Sequence, residues 1–103
     1  MSRYRLTAEA QRDLQEIRDY LTAEAGPRVA RYVVSALIVA LRKLGKDPGM
    51  GHRREDLTPQ ENVLFWPVFS YLIVYQRDAK PIGVVAVLHG KRDVAAALAK
   101  RWR

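Results

Sequence analysis

Apolar and polar positions alternate over residues 3 to 6, where Tyr4 and Leu6 stand against Arg3 and Arg5, and this period of two predicts a brief first strand. Thr7 then serves as a helix N-cap, with Glu9 in the first turn placed to complement the helix dipole. Ala10, Leu14, Ile17 and Leu21 recur at spacings of four, three and four, which is a single apolar stripe on a helix. Its other faces carry Glu9, Asp13, Glu16 and Asp19 with Arg12 and Arg18, the composition of a solvated face rather than a carboxylate site. Gly26-Pro27 ends this helix and opens the next, because Gly tolerates the C′ conformation and Pro is preorganised for the first helical position. The second helix is predicted from Pro27 to Leu44. There Val29, Ala30, Val33, Val34, Leu37, Ile38, Ala40, Leu41 and Leu44 fill about half the circumference, leaving Arg31, Ser35 and Arg42 behind. The short connection favours an antiparallel helical hairpin.

Asp47-Pro48-Gly49 is a strong stop, and residues 49 to 61 turn polar, which predicts an exposed loop of the length that is often functional. Three runs rich in aromatic and β-branched residues follow, Val63 to Val68, Tyr71 to Gln76 and Ile82 to Leu88, and read as consecutive antiparallel strands. In Tyr71 to Tyr75 and Val84 to Leu88 both pleat faces are apolar, so the helices on one side are not the whole cover. Asp93 is an N-cap for a short C-terminal helix in which Val94, Leu98 and Trp102 repeat at every fourth position. That helix, or another chain received in an apolar groove, covers the second face, and both readings stay open. The expected fold is α+β: a short N-terminal strand, an antiparallel helical hairpin packed on a small antiparallel sheet, and a short C-terminal helix or tail, all one domain over residues 1–103.

Composition narrows the function classes. Eighteen Lys and Arg against eleven Asp and Glu leave a formal charge of +7. Such a bias implies an acidic partner, whether nucleic acid, anionic membrane or acidic protein. The absence of cysteine and the presence of only His52 and His89 exclude disulfide scaffolds, thiolate nucleophiles and Cys-rich zinc sites. A catalytic metal needs about three convergent ligands, so none is expected, and no cofactor is expected because no Gly-rich phosphate cradle is present. The N-terminus has no apolar h-region and no run is long enough to span a membrane, which predicts a cytoplasmic protein without membrane attachment. Ser2, Ser35 and Ser70 lack elbow glycines and a matching His and Asp order, so nucleophilic catalysis is not expected.

What remains is cationic. Gly51-His-Arg-Arg-Glu-Asp-Leu57 and Leu88-His-Gly-Lys-Arg-Asp-Val94 each set a His beside two basic residues and an acid. Read functionally, they form a surface for phosphate or an acidic partner, with Arg forks supplying bidentate bonds. Read structurally, Asp56 and Asp93 pair with Arg54 and Arg92 to fix turns. Tyr71 and Tyr75 lie within apolar strands and read as core.

In order and spacing these pieces resemble the RelE/ParE superfamily of toxins, and more closely its ParE-like branch, over nearly the whole chain. The residues that carry the likeness are Tyr4-Arg-Leu-Thr7, Ala10 with Asp13-Leu14 and Ile17 to Leu21, Leu44 to Pro48 with Gly51, Arg54 to Leu57, Phe65-Trp-Pro-Val68, Tyr71 to Tyr75, and Val87 to Asp93. The resemblance implies a helical hairpin against a sheet, neutralised in a hetero-oligomer by a ParD-like antitoxin whose flexible segment folds across the toxin. It further implies poisoning of DNA gyrase, whereas RelE-like relatives cut mRNA on the ribosome. RNA cleavage by 2′-hydroxyl attack needs a base, an acid and cations on the phosphate. Leu64 and Ser70 stand where relatives often carry a basic residue, which weakens the ribonuclease reading and leaves room for an inactive relative. The expected target-facing set is Arg53, Arg54, His89, Lys91 and Arg92, with His89 and Arg92 the catalytic pair if the chain is a ribonuclease. Antitoxin contact is expected on the helix hairpin and exposed apolar strand positions, and direct contact with nucleic acid stays open.

Overall fold

The computed structural model describes residues 3–102. The order of elements is β1 (Tyr4–Leu6), α1 (Ala8–Ala25), α2 (Pro27–Lys46), a single 3-10 turn (Pro48–Met50), β2 (Val63–Val68), β3 (Tyr71–Gln76), β4 (Ile82–His89) and α3 (Val94–Arg101). Thr7 caps α1, its hydroxyl accepting the Ala10 N–H at 3.0 Å. Gly26, at φ 93, takes the left-handed turn that lets α2 start on Pro27. The helix runs two residues beyond Leu44, because Lys43 and Lys46 suit the negative end of its dipole and Asp47 closes the last turn.

The four strands lie in the order β1-β4-β3-β2. β2, β3 and β4 form the antiparallel meander that the three runs predict, with Tyr71 opposite His89 and Val68 opposite Tyr71. β1 pairs parallel with β4, Tyr4 opposite Ile82, so the sheet is mixed rather than purely antiparallel. The alternation in residues 3 to 6 specifies a strand but not the direction of its partner, which follows from where the helical hairpin and meander bring the chain back.

The α1–α2 hairpin covers one sheet face through Ile17, Leu37, Leu41 and Leu44, packed on Ile73, Tyr75 and Val84. The other face buries Phe65, Val74 and Leu88 under Val94 and Leu98 of α3, with Leu57 and Trp102 at the margin. Of the two covers left open by the sequence, this chain's own α3 occupies that face. The loop after α2 is less exposed than its polarity predicts: Thr58 is buried, Leu57 packs on the sheet, and His52 exchanges two backbone hydrogen bonds of 2.8 Å with Phe65. That exchange, with Pro67 lacking an N–H, closes the outer edge of β2 to further strand pairing.

On the opposite side, the part of β4 beyond β1 is closed by side chains. β1 ends at Leu6, paired with Val84, and leaves the rest of β4 without a strand neighbour on that side. Asp13 of α1 accepts the Val87 N–H at 2.9 Å, and Arg101 of α3 donates to the Val85 carbonyl at 2.7 Å. The two side chains join through a pair of hydrogen bonds, 2.8 and 3.0 Å, and are only 7% and 14% exposed. Glu9 adds a contact to the Arg101 Nε at 3.3 Å. Asp13 is therefore not on a solvated face, as its charge suggests. It lies three residues after Ala10 and four before Ile17, inside the apolar stripe itself.

Breaking this pair by Asp13→Ala leaves a buried guanidinium and an unsatisfied N–H, an expected loss of about 3 kcal/mol of unfolding free energy in urea denaturation. Asp13→Asn, which keeps an acceptor for Val87, is expected to lose less.

Candidate functional site

The end of the sheet formed by the last residue of β4 and the first of β3 gathers His89, Lys91 and Arg92 beside Arg54. Its shape comes from two tight connections that lean on each other. The β2–β3 hairpin turns through Phe69 and Ser70, and the chain after β4 turns at once, the Arg92 N–H donating to the His89 carbonyl at 3.0 Å. The Gly90 N–H donates to the Ser70 carbonyl at 2.7 Å and locks the turns together. A Cβ on residue 90 would come within 3.3 Å of that carbonyl, so the close approach suits glycine.

His89 packs its ring edge against Tyr71, centroids 5.4 Å apart and planes at 79°. Its Nδ1 accepts the Lys91 N–H at 3.1 Å, which assigns the proton of the neutral ring to Nε2. Asp93 spends its carboxylate on the α3 cap, accepting the Ala96 N–H at 3.1 Å, and does not pair with Arg92 as the local reading of that motif expects. The other motif does pair: Arg54 Nε and Nη2 donate to Asp56 at 2.9 and 2.8 Å. This fork raises the Arg54 pKa and lowers that of Asp56, chiefly through the hydrogen bonds, but the pair is exposed and adds little stability.

Arg54, His89, Lys91 and Arg92 line one depression of about 360 Å³ together with Phe69 and Ser70, and no carboxylate is among its lining residues. Arg53 is not in that wall. Its guanidinium donates to the Gln60 carbonyl and lies 3.8 Å from Glu55, so it fastens the loop onto itself. Leu64 is 3% exposed in the core under the helices, where a charge would be desolvated, so its lack of a basic group does not interrupt the depression. Ser70 is exposed on the rim.

A larger groove of about 590 Å³ adjoins this depression and shares Phe69, Ser70, Tyr71, His89 and Arg92 with it. Its far wall is Ile17 and Leu21 of α1 and Val33 of α2, with Asp13 and Glu16 the acidic residues that line it. Tyr20, Tyr32 and Phe69, each at least 61% exposed, stand around this region. Phe69 is the residue that sequence reasoning missed. It adopts φ 53, in the left-handed region, which costs a bulky residue about 1–3 kcal/mol. The signal was present: two residues between two strands require a turn that Gly, Asn or Asp ordinarily supplies, and here they are Phe and Ser.

Both strand tyrosines are core, as their apolar surroundings predict. The Tyr75 hydroxyl donates to the Pro48 carbonyl at 2.7 Å and accepts the Gly51 N–H at 2.9 Å, tying the loop after α2 to the sheet. Burial is the leading cause that raises the pKa of Tyr71 and of Tyr75 above the ordinary 10.0. Among the described residues no cluster of three or more His, Cys, Asp or Glu is arranged to hold a metal, and no helix is long and apolar enough to cross a membrane.

Comparisons with known proteins agree with one another. Residues 4–94 match the family described as "ParE toxin of type II toxin-antitoxin system, parDE". The chain is 31% identical over 103 residues to "Toxin ParE" of Escherichia coli, covering 100% of this chain and 99% of that one. A solved structure of the chromosomal ParDE toxin-antitoxin system of P. aeruginosa superposes with a TM-score of 0.71 at 20% identity, over 86% of this chain and 95% of the other, a likeness of fold.

The tyrosine shifts set a pH dependence. A folded pKa above the unfolded one contributes stability below pH 10.0, and that contribution is lost as pH rises through the folded values. Ultraviolet titration of phenolate is expected to show two tyrosines ionising later in the folded protein than in urea. Tyr75→Phe is expected to remove one of them and to lower stability by about 1–2 kcal/mol through the stranded Gly51 N–H.

Proposed function

The chain belongs to the ParE toxin family of type II toxin-antitoxin systems, and we propose that it acts in the cytoplasm by binding DNA gyrase and trapping it on cleaved DNA. Its partner in the resting state is a ParD-like antitoxin, as in the ParDE system whose toxin shares its fold. The observation that carries the target reading is the carboxylate-free depression where Arg54, His89, Lys91 and Arg92 meet. A rigid cationic concavity suits an acidic surface, and opposite charge on the partner speeds and orients the encounter.

The state of two groups at that end of the sheet supports binding rather than covalent chemistry. A base for 2′-hydroxyl attack must have a free lone pair within reach of the substrate. His89 Nδ1 is engaged by the Lys91 N–H, and burial raises the Tyr71 pKa further from neutrality. The +7 charge also suits an acidic antitoxin, so two partners draw on it: one that neutralises the toxin and one that the toxin disables.

The test sets gyrase supercoiling and cleavage assays beside a ribosome-dependent mRNA cleavage assay, using one preparation of the protein. Stabilised double-strand breaks with intact message are expected. Lys91→Glu and Arg92→Glu are expected to weaken gyrase trapping by about tenfold or more, as for truncation of close charge pairs, with little change in thermal stability because both are exposed. Cut message with intact DNA would overturn the proposal.

A further inference from the structure

Phe69 stands at the tip of the β2–β3 turn with φ 53 and a ring that is 61% exposed. Most of that ring is left uncovered by the fold. One face of it leans on Tyr32, centroids 5.9 Å apart, and Tyr32 is itself 68% exposed. Nor is the turn free to relax, since Ser70 is bonded to Gly90 and the next residue, Tyr71, is buried against His89. A strained backbone that holds out an exposed aromatic ring is an outlier from which function is reasonably inferred.

Next to the ring lies the depression already described. Among the described residues His89, Lys91 and Arg92 form no ion pair, and only Arg54 brings a carboxylate partner of its own. The Ser70 hydroxyl and His89 Nε2 add neutral donors. We infer that Phe69 is a stacking platform for a base, and that the depression beside it takes the phosphates of a single-stranded stretch of nucleic acid, with DNA as the source.

An aromatic face beside a cationic groove is how proteins hold unpaired strands, because every base has a π-face and every nucleotide brings a phosphate. A closed duplex hides its base faces in the stack and offers the groove only charge. A nucleotide carries its anion and its π-face in one repeat unit, whereas a peptide needs an acidic and an apolar side chain set side by side to meet the same pair. Beside Phe69 the depression is lined by Ser70, His89, Lys91 and Arg92 together with the apolar Pro67, Leu72 and Val94. The inference rests on reading this end of the sheet as target-facing. It adds that the target includes unpaired nucleic acid, such as the frayed or gapped strands near a break.

The experiment is fluorescence anisotropy of the purified protein with a labelled DNA 20-mer, single-stranded, as a duplex and as the RNA equivalent, across a salt series. The single strand is expected to bind more tightly than the duplex, with affinity falling as salt rises. Phe69→Gly and Phe69→Asn both tolerate the positive φ, so each is expected to weaken single-strand binding by about tenfold while melting no lower than the parent. Phe69→Trp is expected to retain binding. Equal affinity for duplex and single strand, unchanged affinity in Phe69→Gly, or a fall in melting temperature in both Gly and Asn variants would overturn the inference, the last by making the ring part of the fold. Tighter binding of RNA than of DNA would overturn DNA as the source. No gyrase is present in the assay, so failure of gyrase poisoning and failure of strand binding are read separately.

Discussion

The sheet of this protein depends on one ion pair placed where a strand is missing. β1 contributes three residues and stops at Leu6, so the last residues of β4 have no neighbour on that side. Exposed backbone donors and acceptors at a sheet edge template aggregation, and buried ones without partners destabilise the fold. Asp13 and Arg101 occupy the gap as a side-chain strand, one accepting from Val87 and the other donating to Val85, while bonded to each other. Because Asp13 belongs to α1 and Arg101 to α3, the same contact joins the layers on the two faces of the sheet. The pair tolerates its low exposure because almost every polar atom in it is matched, which is the condition under which a buried charge pair can be kept.

The rigidity of the candidate site follows from this. β4 is held on one side by β3 and on the other by Asp13 and Arg101, so the residues just beyond it, His89 to Arg92, start from a fixed point. The loop after α2 is fixed in turn by the Tyr75 hydroxyl and by the His52–Phe65 bridge, which settles where Arg54 enters. Two segments distant in sequence thus bring basic residues to one concavity. Preorganised charge of this kind costs little ordering on binding. The His52 bridge closes the outer side of β2, and Asp13 with Arg101 closes the part of β4 that β1 does not reach, so neither stretch is open to an added strand.

Much of the architecture was legible in order along the chain, because each element is written in a local period. The stripe at Ala10, Leu14, Ile17 and Leu21, the Gly26-Pro27 break and the three aromatic and β-branched runs specify helix, helix and meander through the geometry of 3.6 and 2 residues per repeat. Apolar residues on both faces of β3 and β4 announced a second cover, and the Val94, Leu98 and Trp102 spacing named a candidate for it. The candidate site was legible only as a set of charges. Which cations share a surface is a matter of distance in space, and Arg53 and Arg54, adjacent in sequence, go to different places.

The amino-acid sequence by itself determined the elements, the layer of helices over the meander, the basic character and, through the order of its motifs, the family. The tertiary structure alone decided the direction of β1, the burial of Asp13, the separation of Arg53 from the other cations and the strain at Phe69. The reason is physical. Periodicity and propensity act between neighbours a few residues apart, whereas a side chain's solvation and a turn's backbone angle depend on what the rest of the chain brings against them. Asp13 looks solvated to its neighbours in sequence, and becomes a structural ligand only once Val87 and Arg101, 74 and 88 residues away, close around it.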